Sequence, residues 1–246
     1  MPRFYIDKEA IADGMIIISG SEARHIGKVL RLREHDSITL FDGNGTIYNG
    51  TIISKDHRQV QVRIERESSD HEQQEAIILL GQALTKGSKM DLIVQKSTEL
   101  GVSRIIPFSS ARTIMRYDEK QAVNRVSHWQ GIALASAKQS GRLRVPAVAD
   151  ITDFDRLVAS DLPGFLKIIL WEEESAVRLR HVLKQSASLN PVIFLVGPEG
   201  GFAQDEVARA REQGFIPASL GETVLRTETV SSAVLSVIRY EIGEFG

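Results

Sequence analysis

In the C-terminal part of the chain, short apolar runs alternate with segments of helical periodicity. Four apolar runs have the length and composition of strands: Ile77–Gly81, Ile105–Phe108, Lys167–Leu170 and Val192–Val196. Between these runs, apolar residues recur at the spacing of one helix face. Strands that alternate with helices predict an α/β fold, in which helices surround a mostly parallel sheet.

Two of the intervening segments are predicted as helices from their ends and their apolar stripes. Ser88, with Asp91 three residues later, resembles an N-terminal capping box, and Gly101 can end the helix that follows. A longer helix is predicted from about Asp118 to Ser140. Its core stripe comprises Val123, Val126, Trp129, Ile132 and Ala133.

The N-terminal part of the chain has the pattern of a β-rich domain. The turn sequence Asp42-Gly-Asn-Gly45, whose residues favour positive φ, separates two β-rich stretches, Ser37–Phe41 and Thr46–Ile53. A small β-barrel accounts for this pattern. Residues Glu65–Glu75 contain no apolar residue and are predicted to be a linker. We therefore expect two domains, residues 1–70 and 71–246.

Composition excludes several classes of chemistry. The chain has no cysteine, six scattered histidines and a formal net charge of −2. Disulfides, cysteine-ligated metals and thiol nucleophiles are therefore excluded, and no metal site is expected. Because the whole chain is close to neutral, nucleic-acid binding must come from local patches. No apolar run is long enough to span a bilayer, and the first eight residues, Met1–Lys8, do not form the apolar h-region of a signal peptide, so we expect a cytoplasmic protein.

A glycine-rich loop follows the most apolar predicted strand. Gly197, Gly200 and Gly201 lie directly after Val192–Val196 and before a predicted helix. In an open α/β sheet, ligands bind beyond the carboxyl ends of the strands, and glycines allow a ligand to approach bare backbone. A tight strand-to-helix turn accounts for the same glycines, so the loop alone leaves both interpretations open.

A second loop, Ser219–Thr229, leads into a helix predicted at Val230–Ile242, with Thr227 or Thr229 as its N-cap. Glu228 is favourable in the first helical turn. Arg226 is not, because positive charge is disfavoured at a helix N-terminus. This cation therefore suggests a functional role.

A basic cluster lies near the N-terminus, within a segment that also carries apolar residues. Its members are Arg24, His25, Lys28, Arg31 and Arg33. A helix with one basic face fits this pattern and would suit nucleic-acid binding. Such faces are also common as solvated surface, so the cluster gains weight only from other features.

Four ordered motifs together resemble the SPOUT-class ribosomal RNA uridine-N3 methyltransferases over nearly the whole chain. They are Lys89–Val102, Gln139-Ser-Gly-Arg142, Gly197-Pro-Glu-Gly-Gly-Phe202 and Leu220-Gly221 followed by Leu225-Arg-Thr-Glu-Thr229. The opening Pro2-Arg-Phe4 and the segment Val29–Gly43 are similar to that family's N-terminal PUA-like RNA-binding barrel.

The resemblance implies a C-terminal α/β domain with a deep trefoil knot, which is rare among folds. It also implies a homodimer, S-adenosylmethionine as cofactor, and a substrate uridine in small-subunit ribosomal RNA within the assembled 30S subunit. By motif, the residues expected to line the cofactor are Leu195, Gly197, Gly201, Leu220, Gly221 and Leu225. Those expected to contact RNA are Arg3, Arg24, Lys28, Arg31, Arg33 and Arg142.

Three residues depart from the family pattern. Val230 stands where alanine is expected after Arg-Thr-Glu-Thr, His35 replaces a turn glycine, and Ala203 replaces a Ser or Thr cap before Glu206. We expect these departures to alter local geometry and not activity.

The chemistry of methyl transfer agrees with the resemblance. Pyrimidine C5 methylation generally proceeds through a cysteine adduct, which this chain cannot form, so N3 and ribose oxygen remain as acceptors. Removing the N3 proton spreads negative charge over N3, O2 and O4, which a guanidinium would stabilise. We therefore predict Arg226 as the catalytic electrostatic group, with Glu228 orienting it or assisting proton removal. The alternatives are a ribose 2′-O methyltransferase of the same superfamily and a non-catalytic RNA-binding assembly factor.

Overall fold

The computed structural model describes residues 3–56, 58–69 and 75–245, which form two compact units. The first unit contains the described residues up to 69 together with Ala137–Val145. The second contains Glu75–Ser136 and the described residues from Pro146 onward. The first unit is therefore built from two separate stretches of chain.

The first unit is organised around one five-stranded sheet. Its strands are β1 (Arg3–Tyr5), β2 (Met15–Ser19), β3 (Ser37–Phe41), β4 (Thr46–Lys55) and β5 (Gln59–Ser69). They lie in the order β1-β3-β4-β5-β2; β1 pairs with β3 in parallel and all other pairs are antiparallel. A short helix α1 (Gly20–Arg24) and a π-helical turn (His25–Val29) follow β2. The β-rich prediction for this part of the chain is confirmed.

The predicted hairpin lies between β3 and β4. Gly43 and Gly45 have φ values of 76° and 98°, as the turn requires. The buried Asp42 carboxylate fixes the turn by accepting the backbone N–H groups of Asn44 at 2.8 Å and Thr46 at 3.1 Å. This is the local hydrogen bonding for which aspartate is favoured in turns.

Two predictions for the first unit are wrong. Residues 65–69 are not linker, because β5 continues to Ser69 and pairs with β4, as in the register Tyr48↔Glu67. Strand pairing uses backbone groups, so polar side chains on exposed positions do not prevent it. Residues 70–74 of the predicted linker lie outside the described residues. The basic segment is not one helix either, because helical structure stops at Val29, before Arg31 and Arg33.

Residues 137–145 attach to the first unit through several main-chain contacts. Gly45 N–H donates to Leu143 O at 3.2 Å, and Val145 N–H donates to Gly43 O at 2.8 Å. Arg144 adds a hydrogen bond to Asn44 O at 2.8 Å. These bonds tie the segment to the β3–β4 turn.

The second unit is a parallel α/β sheet. Its strands are β6 (Ile78–Ala83), β7 (Arg104–Ser109), β8 (Ala147–Val148), β9 (Thr152–Asp153), β10 (Leu166–Leu170), β11 (Val192–Val196) and β12 (Ile216–Ala218). The order is β12-β10-β11-β6-β7-β8, with β9 also paired to β7, and every pair is parallel. Its helices are α2 (Lys89–Glu99), α3 (Glu119–Ser140), α4 (Phe154–Val158), α5 (Leu179–Gln185), α6 (Gln204–Glu212) and α7 (Thr227–Glu241). The last four residues of α3 belong to the first unit. The α/β prediction and its four strands are confirmed: Val192–Val196 has the predicted ends, and the ends of the other three differ by at most two residues.

The core of the second unit fills the space between the sheet and its helices. All five residues of β11 are buried, as expected for a central parallel strand. Phe108 and Phe202 stack at a centroid distance of 6.2 Å within this core. The predicted stripe of α3 is correct at Trp129 and Ala133, which are buried, but wrong at Val123, which is 62% exposed.

Among the described residues, no helix combines the length and apolar character needed to cross a membrane. Within the same residues, no three histidine or acidic side chains come together in a group that could hold a metal ion.

Candidate functional site

A cavity of about 400 Å³ lies beyond the carboxyl ends of β10, β11 and β12 in the second unit. Parallel strands deliver the loops that follow them to one edge of the sheet, which is where open α/β folds bind ligands. Three segments supply most of the wall: residues 170–172 after β10, residues of the 196–201 loop after β11, and residues 218–227 after β12. Lys89 and Val230 complete it.

Two glycines of the first loop, Gly197 and Gly201, have little space for a side chain. A Cβ added at Gly197 would lie 3.2 Å from the carbonyl carbon of Gly201. Gly201 has a φ of 67°, and a Cβ there would overlap the carboxylate of Glu172. Backbone of this loop is therefore packed directly against its own chain and against an acidic side chain of the cavity.

A buried hydrogen-bond network joins the first loop to the start of α7. Thr227 Oγ1 donates to Gly197 O at 2.8 Å and accepts from Gln82 Nε2 at 3.1 Å. Ser231 Oγ donates to Gln82 Oε1 at 2.7 Å. Gln82 and Ser231 are fully buried. The network fixes the loop after β11 relative to β6 and α7.

The predicted N-cap of this last helix is wrong. The helix begins at Thr227, three residues before the predicted start at Val230, and Arg226 occupies the cap position with no side-chain capping bond. The Thr227 hydroxyl cannot cap because it is committed to Gly197. Sequence spacing alone did not distinguish a capping threonine from one that bonds to a distant loop.

The two predicted catalytic residues lie on either side of this helix start. Arg226 is exposed and lines the cavity. Glu228 does not line it, but its side chain is only 15% exposed, and its buried Oε2 has no hydrogen-bond partner in the described part of the chain. The geometry brings a guanidinium and a carboxylate to the same helix N-terminus, while their catalytic roles stay predictions.

Lys89 and Glu199 form an ion pair at the cavity that sequence reasoning missed. Lys89 Nζ lies 2.9 Å from Glu199 Oε1 and 3.9 Å from Glu228 Oε2. Burial by itself raises the pKa of the Glu199 carboxyl. Hydrogen bonds from Lys89 and from backbone N–H groups, including that of Lys86, outweigh the effect of burial, so the pKa lies below its ordinary value. Glu199 is therefore ionised near neutral pH.

Five of the six residues predicted to line a cofactor do line the cavity: Gly197, Gly201, Leu220, Gly221 and Leu225. Leu195 does not; it is fully buried and packs against Gly81. Trp171 and Glu172 line the cavity and were missed. Their position directly after a predicted strand, at the same sheet edge, was the available signal.

All six residues predicted to contact RNA belong to the first unit: Arg3, Arg24, Lys28, Arg31, Arg33 and Arg142. The Arg3 guanidinium donates to the backbone oxygen of Gly141 at 3.0 Å, and the main-chain N–H of Arg33 donates to Asp36 Oδ2 at 2.6 Å. Arg31 has a φ of 54°, in the left-handed region. These contacts lie within the protein and do not test RNA binding, so the RNA-binding role stays a prediction.

The three departures from the family pattern have visible local consequences. His35 has a φ of 72°, which explains why glycine is expected there. Ala203 offers no side-chain cap to α6, and Glu206 compensates by accepting the N–H groups of Ala203 at 3.0 Å and Ala111 at 2.8 Å. Val230 adds its side chain to the cavity wall.

Comparison with known proteins decides the family. A family model described as an RNA methyltransferase domain matches residues 72–239, and one described as an RNA methyltransferase PUA domain matches residues 18–65. Ribosomal RNA small subunit methyltransferase E of Bacillus subtilis is 30% identical, over 98% of this chain and 97% of that protein. The chain belongs to this RNA methyltransferase family. The predicted family and its PUA domain are confirmed.

Solved structures of relatives of this methyltransferase agree in fold over the full length. Ribosomal RNA small subunit methyltransferase E from Neisseria gonorrhoeae, described as bound to S-adenosylmethionine, is 32% identical, covers 100% of both chains and has a TM-score of 0.87. A methyltransferase from Legionella pneumophila in complex with the same cofactor is 31% identical, covers 97% of both chains and has a TM-score of 0.85.

Proposed function

We propose that this RNA methyltransferase transfers a methyl group from S-adenosylmethionine to N3 of a uridine in small-subunit ribosomal RNA. The cavity carries the proposal, because two glycine-containing loops and the cation Arg226 meet there, at the sheet edge where α/β folds bind ligands. Relatives named ribosomal RNA small subunit methyltransferase E support the RNA substrate. Two solved relatives with S-adenosylmethionine support the methyl donor.

The residues present fit that cofactor. Glu172, Glu199 and Glu222 line the cavity and suit the positive charge of a sulfonium and an α-ammonium. Gly197, Gly201 and Gly221 leave backbone N–H and C=O groups accessible to its polar atoms. When bound, S-adenosylmethionine supplies an electrophilic methyl carbon. Every further requirement of the reaction falls on the protein's own side chains.

Those requirements are proton removal and stabilisation of the anion that results. In neutral uracil the in-plane electron pair of N3 forms the N3–H bond, and the other pair is delocalised into the two carbonyl groups. The proton must therefore leave before N3 can approach the methyl carbon in line. Glu228 is the proposed proton acceptor, because its Oε2 has no hydrogen-bond partner in the described part of the chain; its side chain must turn toward the cavity to reach the base. Arg226 is the proposed donor to a uracil carbonyl oxygen, where the negative charge is concentrated.

Nucleoside analysis tests this function against its closest alternative. Small ribosomal subunits that lack the modification are incubated with the protein and labelled S-adenosylmethionine, and the digested RNA is separated. We expect N3-methyluridine. A 2′-O-methylated nucleoside would instead identify the chain as a ribose 2′-O methyltransferase. If calorimetry shows no binding of S-adenosylmethionine, a non-catalytic RNA-binding assembly factor would be the remaining interpretation.

The first unit is proposed to bind the RNA phosphates of the assembled subunit through its basic residues, which supports a substrate larger than a single nucleotide. Arg24, Lys28, Arg31 and Arg33 lie within ten residues of sequence. Contacts to phosphate position a substrate without reading its bases. Naked RNA would then be a poorer substrate than the subunit.

A homodimer and a knotted C-terminal region are also proposed. Exposed apolar residues on two adjacent helices support the dimer: Leu92 on α2 is 43% exposed, and Val237 and Tyr240 on α7 are 41% and 68% exposed. Light scattering of Tyr240→Glu against the wild type tests it. The knot is proposed from the resemblance of the sequence motifs to the SPOUT-class methyltransferases.

A further inference from the structure

We propose that Lys89 is a second catalytic cation, which donates a hydrogen bond to one uracil carbonyl oxygen while Arg226 serves the other. This inference rests on the proposed function and deepens it. Lys89 and Arg226 are the two basic side chains among the described residues that line the cavity. Uracil has two carbonyl oxygens, one on each side of N3, and the anion places negative charge on both.

Helix stability does not account for the position of Lys89. It is the first residue of α2, and a positive charge at a helix N-terminus is disfavoured by the macrodipole. Ser88 before it forms no capping bond that could offset this cost. A cation at such a position is the same anomaly that singles out Arg226 at the start of α7.

The ion pair with Glu199 does not use all of the ammonium group. A lysine ammonium has three donors, and Glu199 Oε1 at 2.9 Å takes one. Glu228 Oε2 at 3.9 Å is too distant for a hydrogen bond. The Lys89 side chain is 35% exposed and lines the cavity, so donors remain for a bound base.

Lys89 and Glu228 also form a complementary pair for uracil. The ammonium donates where the base has a carbonyl oxygen. The carboxylate of Glu228, whose Oε2 has no hydrogen-bond partner among the described residues, accepts where the base has N3–H once its side chain turns toward the cavity. In the reaction the N3 proton passes to the Glu228 carboxylate. The N3 electron pair then forms the bond to the methyl carbon, and the carbon–sulfur bond breaks with its electrons retained by sulfur, which leaves a neutral thioether.

The test compares Lys89→Met and Lys89→Arg with the wild type on unmodified small subunits. Removing one preorganised donor typically lowers turnover on the order of 10²-fold, and we expect that loss for Lys89→Met with unchanged affinity for S-adenosylmethionine. Lys89→Arg keeps a charged donor and should recover part of the activity. Lys184→Met removes a lysine from an exposed position on α5 and is the matched control.

Two readouts separate anion stabilisation from a merely structural ion pair. The loss of turnover in Lys89→Met should shrink as pH rises from about 6.5 to 9, because uridine then ionises without help. It should also shrink on subunits reconstituted with 5-fluorouridine RNA, whose N3–H is more acidic because fluorine withdraws electrons. A structural defect would be equal under all these conditions.

The possible outcomes distinguish failure of this inference from failure of the proposed function on which it rests. If the wild type makes a product other than N3-methyluridine, the proposed function and the role of Lys89 both fail. If the product is N3-methyluridine but the deficit of Lys89→Met is independent of pH and of fluorine, only the role of Lys89 fails. Loss of cofactor affinity in Lys89→Met and Lys89→Arg alike would place Lys89 in the cofactor site and overturn the inference.

Discussion

The hydroxyl of Thr227 donates a hydrogen bond of 2.8 Å to the carbonyl oxygen of Gly197, a residue 30 positions earlier in the chain. Thr227 stands at the first position of α7, and Gly197 opens the loop after β11. One side chain therefore sets the relative position of two of the segments that line the cavity.

Thr227→Val, which keeps the shape and removes the hydroxyl, should lower the free energy of unfolding by about 1–3 kcal/mol, because buried groups of Gly197 and Gln82 lose their partner. It should also weaken binding of S-adenosylmethionine, measured by calorimetry. Thr229→Val, at an exposed position of the same helix, is the control and should change neither quantity. Normal cofactor affinity in Thr227→Val would show that the bond serves stability alone.

Arg226→Ala should lower turnover on the order of 10²–10³-fold with near-normal affinity for S-adenosylmethionine, because the guanidinium acts on charge that develops only on the base. The turnover of Arg226→Lys should lie between those of the wild type and Arg226→Ala, since an ammonium keeps the charge but loses the planar, multi-donor group. Methyl incorporation into unmodified small subunits measures both variants. A fall in cofactor affinity that matches the fall in activity would assign Arg226 to cofactor binding.

Gly221→Ala should cost about 1–3 kcal/mol of stability, because Gly221 has a φ of 121° that an L side chain rarely adopts. It should also impair cofactor binding, since Gly221 lines the cavity. Gly214→Ala is the matched control: its φ is 83°, but it does not line the cavity. Equal cofactor affinity in the two variants would make Gly221 a turn residue only.

Replacing Lys28, Arg31 and Arg33 by glutamate should weaken RNA binding and flatten its salt dependence. In a plot of the logarithm of the RNA-binding constant against the logarithm of the salt concentration, the magnitude of the slope should fall by roughly 0.7–0.9 for each phosphate that the variant no longer neutralises. Cofactor affinity should not change. The control replaces Arg180 and Lys184, which are exposed on α5 in the second unit. An unchanged slope in the triple variant would place the RNA-binding surface outside this basic cluster.

Glu174 should contribute to acid sensitivity. The N–H of Ala176 is the main cause that lowers the pKa of this carboxyl, burial opposes it, and Val177 N–H and Arg211 also lower it. A lowered pKa in the folded state gives stability above the ordinary pKa of 4.5 that is lost as pH falls through the folded-state value. The free energy of unfolding, measured by urea denaturation, should fall less between pH 7 and acid pH for Glu174→Gln than for the wild type. Glu212→Gln, exposed on α6, should behave as wild type.

Strands with continuous apolar sequence could be predicted well, because a strand buried on both faces needs apolar residues at every position, as β11 shows. The end of β5 could not, since residues 65–69 are held by backbone pairing that polar side chains do not reveal. The glycines of the cavity could be predicted from the motifs and from their position after strands. The place of Lys89 in the cavity could not be predicted, because its partner Glu199 lies 110 residues away and only the fold brings the two together.

The attachment of Ala137–Val145 to the first unit bears on how the chain folds during synthesis. An N-terminal domain usually completes its structure while later residues are still being added. Here the β3–β4 turn lacks the partners of Gly43 and Gly45 until residue 145 has left the ribosome, well after β6 and α2 have emerged. Folding of the two units is therefore interleaved in time, and a truncated chain that stops before residue 137 would leave the first unit incomplete.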